Sequence, residues 1–216
     1  MSNGVSIEEL VKHQSIDENN LERISFRKVR PTLEIVDPDP TWPSTYDKFA
    51  SRIIDALGPP TSPKGAESGT SHLISVSHVG STSVPGLPAK AIIDIDVVVS
   101  DINDESAYVA ALEHQGFQFM SREPKWHGNR FFTTAEPTFA NVHVWGPACP
   151  EVERHRIFKE WLTGNVEDRE LYARTKKECS EASKLGGETA MDYNRRKEGV
   201  IKDILHRAFK QLGYVR

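Results

Sequence analysis

Two apolar periods divide the chain. From Trp42 the residues Tyr46, Phe49, Ile53, Ile54 and Leu57 recur at helical spacing, and Gly58–Pro59 ends the run. Core or helix-start packing is the ordinary fate of Trp42 and Tyr46. Short strand-like runs surround that helix: TLEIV at 32–36, LISVSHV from Leu73, AIIDIDVVVS to Ser100, FQFM from Phe117, RFFTTA from Arg130 and TFANVHVWG from Thr138. The short linker between the last two predicts an antiparallel hairpin. DINDESAYVAALEHQ predicts a helix from about Asp104 to Gln115 with Gly116 as its stop. The last third changes character, with PEVERHRIFKEWLTG, VEDRELYARTKKECSEA and AMDYNRRKEGVIKDILHRAFKQLG reading as three helices separated by glycine-containing breaks. The pattern predicts an α+β core, a mixed sheet of about five strands, followed by a C-terminal helical bundle.

One stretch breaks the pattern in a way that points to chemistry. In IIDIDVVV, Asp94 and Asp96 interrupt an apolar strand at alternate positions, so both carboxylates share one face while Ile93, Ile95 and Val97 share the other. Like charges so placed are costly unless something answers them. Just upstream, Gly80, Ser81, Thr82 and Ser83 follow the strand that ends near His78. Free backbone N–H groups and hydroxyls at such a turn suit a phosphate, and glycine allows close approach. A turn with a capping serine explains those four residues equally well. The carboxylate pair raises the functional reading, because two same-face acids can hold a divalent cation that bridges phosphate oxygens.

Composition narrows the classes without choosing among them. The 216-residue chain suffices for one domain with a sizeable core, and a formal charge of -4 gives no global attraction to nucleic acid or anionic membrane. Cys149 and Cys179 lack metal-ligand spacing and read as free thiols of a reducing compartment. The N-terminus has no hydrophobic signal core and no run reaches transmembrane length, so a soluble, cytoplasmic protein is expected. Residues 1–28 are polar and mixed; Ser6 and Glu9 have capping-box spacing, predicting a short helix in SIEELVKHQ. PPTSPKGAESGTS, residues 59–71, reads as an exposed loop.

Other candidates cluster around the acidic strand. Asn141, His143 and Trp145 alternate onto one face of the TFANVHVWG strand, opposite Val142 and Val144, which favours a pocket lining. Lys90 precedes the acidic strand, and either contacts a phosphate or is a solvated loop lysine. Arg130, opening RFF, is a better anion candidate. Tyr172–Lys176 and Tyr193–Lys197 are each four apart on successive helices and would share a face, presenting cations to phosphates or pairing with surface acids. ERHR and NRRK read as solvated basic faces.

SHVGSTSVPGLPAKAIIDIDVVV closely resembles the signature of the GrpB-like family, whose fold is similar to that of the nucleotidyltransferases. The resemblance extends through DPTWPSTYDKF, RFF, NVHVW with ERHRIFKEWL, and the two Tyr–Lys pairs, over about residues 33–208. It implies a GrpB-like domain over 29–216 behind a polar extension, 1–28. It also implies a substrate site at His78, Gly80–Ser83, Lys90 and the later strands and helices, with Mg2+ on Asp94 and Asp96. The wider nucleotidyltransferase pattern takes a third acid from a later strand, where this chain offers His143 as a metal ligand, general base or phosphate contact. Ser77 stands where the family commonly has an acid, and Ala91 where it commonly has proline.

The expectation is metal-dependent nucleotidyl or phosphoryl transfer from a nucleotide, or another phosphorylated small molecule, to an acceptor that the sequence does not identify. Asp94, Asp96 and His143 would be the catalytic residues. Two rivals stand beside it: a non-catalytic nucleotide or small-molecule binding module, and a metal-independent transferase acting on an aminoacylated or CoA-linked substrate. A short, acidic chain with no evident extra binding domain argues against a polymerase.

Overall fold

The computed structural model describes residues 4–12, 21–61 and 72–216. Its centre is a six-stranded sheet. The strands are β1 (Glu22–Arg23), β2 (Leu73–Val79), β3 (Ile92–Val99), β4 (Gln118–Glu123), β5 (Asn129–Thr134) and β6 (Phe139–Trp145), in the order β1-β4-β5-β6-β3-β2. Among the described residues only β3 and β6 pair in parallel; the other neighbours are antiparallel. The β5–β6 hairpin forms as its short linker predicts. A sixth strand arises because Glu22–Arg23, within the polar N-terminal segment, pairs with β4 through Arg122 and Ser121. TLEIV does not form the expected strand: its Val36 makes an isolated bridge to Ala89, in the loop before β3, rather than pairing with a strand of the sheet.

The period-2 alternation of β3 and β6 sorts the two faces. Ile93, Ile95, Val97 and Val99 join Ala140, Val142 and Val144 against Phe49, Ile53 and Leu57 of α2 (Trp42–Leu57) and Leu112 of α3 (Val109–His114). The helix expected from Asp104 is split. A single turn at Glu105–Ala107 precedes α3, and Tyr108 between them is buried with its hydroxyl donating to Ile102 O at 2.7 Å. The expected loop 59–71 falls mostly outside the described residues, as do His13 and Gln14 of the predicted first helix; that helix, α1, is described over Ile7–Val11 with Ser6 as its cap.

The opposite face is roofed by the bundle of α4 (Pro150–Gly164), α5 (Val166–Leu185) and α6 (Ala190–Gln211). Val84 and Leu87, between β2 and β3, pack with Leu162, Tyr172 and Ile204 and so lock the bundle onto the loop beside the acidic strand. Helix α1 joins through Leu10, which packs with Ile157 and Phe209. Arg154, 4% exposed, ties it down: its guanidinium donates to Leu10 O at 2.7 Å, Glu9 O at 2.6 Å and Lys12 O, and pairs with Glu151. Arg154→Ala should therefore lower stability by roughly 3 kcal/mol or more, since it strands Glu151 as well as the carbonyls of α1. Hydrogen exchange should show residues 4–12 losing protection before the sheet does. Among the described residues no helix is long and apolar enough to cross a membrane.

Candidate functional site

The candidate site lies between the polar face of β3/β6 and the helical roof. Parallel pairing sets Asp94 beside Asn141 and Asp96 beside His143, so the acids of one strand and the polar residues of the other share one row. Asn141 Nδ2 donates to Asp94 Oδ1 at 2.7 Å. Its own oxygen accepts from Arg27 Nη2 at 2.6 Å, an arginine contributed by the N-terminal segment. The turn at Gly80 closes over the same carboxylate. Gly80 has φ +68, and a Cβ there would lie 2.9 Å from Asp94 Cβ, with Oδ2 nearer still. Ser83 Oγ folds back onto Gly80 O at 2.7 Å, which makes the turn rigid.

Lysines from three elements converge on Asp94. Lys90 precedes β3, while Lys176 and Lys197 come from α5 and α6; the Asp94 charge acts on all of them. Tyrosine rings hold the ammonium groups: Lys90 lies 4.4 Å and Lys197 4.9 Å from the Tyr193 ring centre, and Lys176 4.8 Å from that of Tyr172. Lys176 also donates to Pro88 O and is 1% exposed. Burial, reinforced by the charge of Lys197, pushes Lys176 down to about 6 and Lys90 to about 8. Lys197 is lowered by burial against the pull of Asp94. Burial raises both tyrosines, and Ser81 forms a side-chain hydrogen bond with Tyr172. One carboxylate thus faces three desolvated amino groups, each held below the usual lysine range.

A second group adjoins the first around Asp96, which is 0% exposed. Its Oδ1 accepts from Trp145 Nε1 at 2.9 Å and its Oδ2 from His155 Nδ1, on α4, at 2.8 Å. Burial opposes protonation of His155, but Asp96, Glu151 and Asp94 outweigh it and raise the imidazole to about 9. His143 stacks on Trp145, with ring centres 5.9 Å apart, and lies tilted against Phe131 at 5.1 Å. Its Nδ1 is buried without a partner among the described residues, and burial lowers its pKa.

The structure therefore unites Gly80, Ser81, Ser83, Lys90, Asp94, Asn141, Tyr172, Lys176, Tyr193 and Lys197, and sets Asp96, His143 and Trp145 beside them. It separates His78, Thr82 and Arg130 from that group. His78 pairs in register with Ile95 on the core-facing side of the sheet. There its Nε2 bonds Thr82 Oγ1 at 3.0 Å, its ring stacks on Tyr46 at 4.7 Å, and burial lowers it to about 4. Arg130 lies opposite Val144, away from His143, and its Nε bonds Glu105 at 2.9 Å. The basic runs are not simply solvated faces: NRRK ends in Lys197, and ERHR carries Arg154 and His155 inward. His155 and Arg27 were missed by the sequence reading. The Glu151–His155 spacing of four was a signal for the first; nothing in the polar segment marks the second.

The donor set does not suit a hard divalent cation. Asp96 uses both oxygens on Trp145 and His155 with no exposure, and Asp94 is bonded by Asn141 among lysines. Among the described residues no three or more His, Cys, Asp or Glu side chains group so as to hold a metal ion.

Comparison with known proteins bears on this geometry. A family model described as GrpB protein matches residues 32–207. The UPF0157 protein BH1888 of Halalkalibacterium halodurans is 34% identical over 194 residues, covering 88% of this chain and 91% of that one. The crystal structure of conserved protein GrpB from Enterococcus faecalis superposes with a TM-score of 0.67 at 24% identity, covering 83% of this chain and 99% of that one, and shows the same fold. A dephospho-CoA kinase of Mycobacterium bovis is 29% identical over 207 residues, 84% of this chain but 47% of the kinase, so the chain spans about half of that protein.

Proposed function

The chain belongs to the GrpB protein family, and from that premise we propose that its cleft binds a phosphorylated small molecule of the nucleotide class, on a fold of nucleotidyltransferase type. The observation that carries this reading is the convergence of Lys90, Lys176 and Lys197 on the single carboxylate of Asp94. Buried like charges repel and lose hydration, so a cluster of this kind is favoured only when an anion completes it. Ser81 and the Gly80 turn supply neutral donors at one side, and Asn141 fixes Asp94 so that it orients the lysines without neutralising them. The dephospho-CoA kinases similar to this chain contain about as much further sequence again, so their named activity does not transfer. A substrate of that kind nonetheless agrees with the class inferred from the lysines. The binding-module reading gains from Asp96, whose oxygens are engaged by Trp145 and His155. Transfer to an acceptor is the finer form of the proposal, and turnover of a nucleoside triphosphate with a panel of acceptors would distinguish the two.

Calorimetry with inorganic pyrophosphate and with ATP, in EDTA, tests the binding step. Lys176 and Lys90 titrate near 6 and 8 in the free protein, so an anion that favours their charged forms draws in protons. Binding should therefore weaken as pH rises from 6 to 9, and the observed heat should change with buffer ionisation enthalpy. Absence of binding to the wild-type chain at millimolar ligand would refute the reading.

A further inference from the structure

Asp96 is the residue whose surroundings depart furthest from the role expected of it. It is fully buried, and its two oxygens accept from Trp145 Nε1 and His155 Nδ1 at 2.9 and 2.8 Å. A magnesium ion would arrive with several waters and need an open carboxylate edge. The imidazole of His155 stands there instead. One ring nitrogen is anchored; the nearest acid to the other, Nε2, is Glu151 at 4.0 Å, beyond hydrogen-bonding distance. The side chain keeps 30% exposure even though its partner has none, so the ring has a free side. Asp96, which holds His155 from α4, lies on the row of Asp94: two residues of strand separate the carboxylates, about 6.6 Å at 3.3 Å per residue. That is a span across which an extended phosphate chain can touch both the lysines and the ring.

We propose that Asp96 serves His155 rather than a cation, and that His155 Nε2, so held, is a phosphate-contacting group at the far end of the lysine site. The inference rests on the phosphate reading above and adds a residue that the acid-pair pattern does not contain. Asp96 fixes the ring plane and commits Nδ1–H, leaving Nε2–H to donate to a phosphate oxygen. A hydrogen bond held in this way loses little orientational freedom on binding, and its anionic acceptor makes it one of the stronger kinds. Trp145 holds the second oxygen, so the carboxylate cannot swing away from the imidazole. The arrangement does the work of a positive charge at this end of the cleft with a residue of the chain itself.

The test uses the full chain with 15N-labelled histidine, observed by NMR while pyrophosphate is added in EDTA, and then with Mn2+ in place of EDTA and without pyrophosphate. Expected are a hydrogen-bonded Nδ1–H that persists, an Nε2 signal that moves on saturation, and pyrophosphate affinity about tenfold lower in His155→Gln and Asp96→Asn. The wild-type spectra decide the matter even if either variant folds poorly. Pyrophosphate binding with an unmoved Nε2 and unchanged His155→Gln affinity would overturn the inference and leave the phosphate reading intact. Mn2+ broadening of the His155 ring that disappears in Asp96→Asn would make Asp96 a cation ligand, and would overturn it too. An anchored ring in a wild-type chain that binds no pyrophosphate would remove the phosphate reading, and with it the contact assigned to Nε2.

Discussion

Lys176→Met should make the free protein more stable and the cleft unable to bind pyrophosphate. Lys176 is 1% exposed, and burial beside the like charges of Lys197 and Lys90 lowers it to about 6. An unfolded chain holds its proton to about 10.4. Between those values the unfolded state binds more protons than the folded one, so stability from this group rises with pH across the window and is lowest at its acidic end. At pH 7 the folded chain must surrender the proton or bury the charge, a penalty of several kcal/mol. Methionine has a similar unbranched shape and needs no hydration, and it loses the bond to Pro88 O and the ammonium contact with the Tyr172 ring. The net gain should be about 2–4 kcal/mol, or roughly 5–15 °C in Tm for a chain of this size. The sign of the pH dependence is the specific check: the difference in Tm between variant and wild type should shrink as pH goes from 7 to 10. An unchanged or lower Tm, with pyrophosphate affinity intact, would show that Lys176 is an ordinary structural residue.

Gly80→Ala should be the most damaging single-methyl change in the cleft. The backbone there has φ +68 and ψ −170, a region that side chains rarely enter and that costs on the order of 1–3 kcal/mol. The added carbon would also fall 2.9 Å from Asp94 Cβ and 3.0 Å from Cγ, so Asp94 must move and its bond from Asn141 must break. Together these should lower stability by about 3–5 kcal/mol and abolish pyrophosphate binding. The two parts separate in a double variant. Gly80→Ala with Asp94→Gly, measured against Asp94→Gly alone, removes the clash with the Asp94 side chain but not the backbone strain, so it should regain only part of the lost stability in urea unfolding. Full recovery would mean that the turn tolerates a side chain and that φ carries no penalty here.

Both predictions depend on features that were partly legible in the chain. The alternation IIDIDVVV was sufficient to place Asp94 and Asp96 on one face and the branched residues on the other, because strand period is a local property. The same holds for Asn141, His143 and Trp145. Four-residue spacing placed each tyrosine with its lysine, and the fold keeps both pairs together on their helices. His78 shows where local reasoning stops. It adjoins the Gly80 turn in sequence, yet its register opposite Ile95 turns it toward α2.

What the sequence by itself determined is therefore each element and the residues that share a face of it: the sheet-and-bundle plan, the paired acids of β3, the Tyr–Lys faces of α5 and α6. Those follow from covalent geometry and hydrophobic period, which act within a few residues. What only the tertiary structure decided is which faces meet. Lys90, Lys176 and Lys197 surround Asp94 because the bundle is pinned over the β2–β3 loop by Val84 and Leu87. Arg27 reaches Asn141 across 114 positions of sequence, and His155 reaches Asp96 across 59. That both oxygens of the second aspartate accept from Trp145 and His155 was likewise decided by packing, because burial and hydrogen-bond satisfaction are properties of the packed chain and have no period to read.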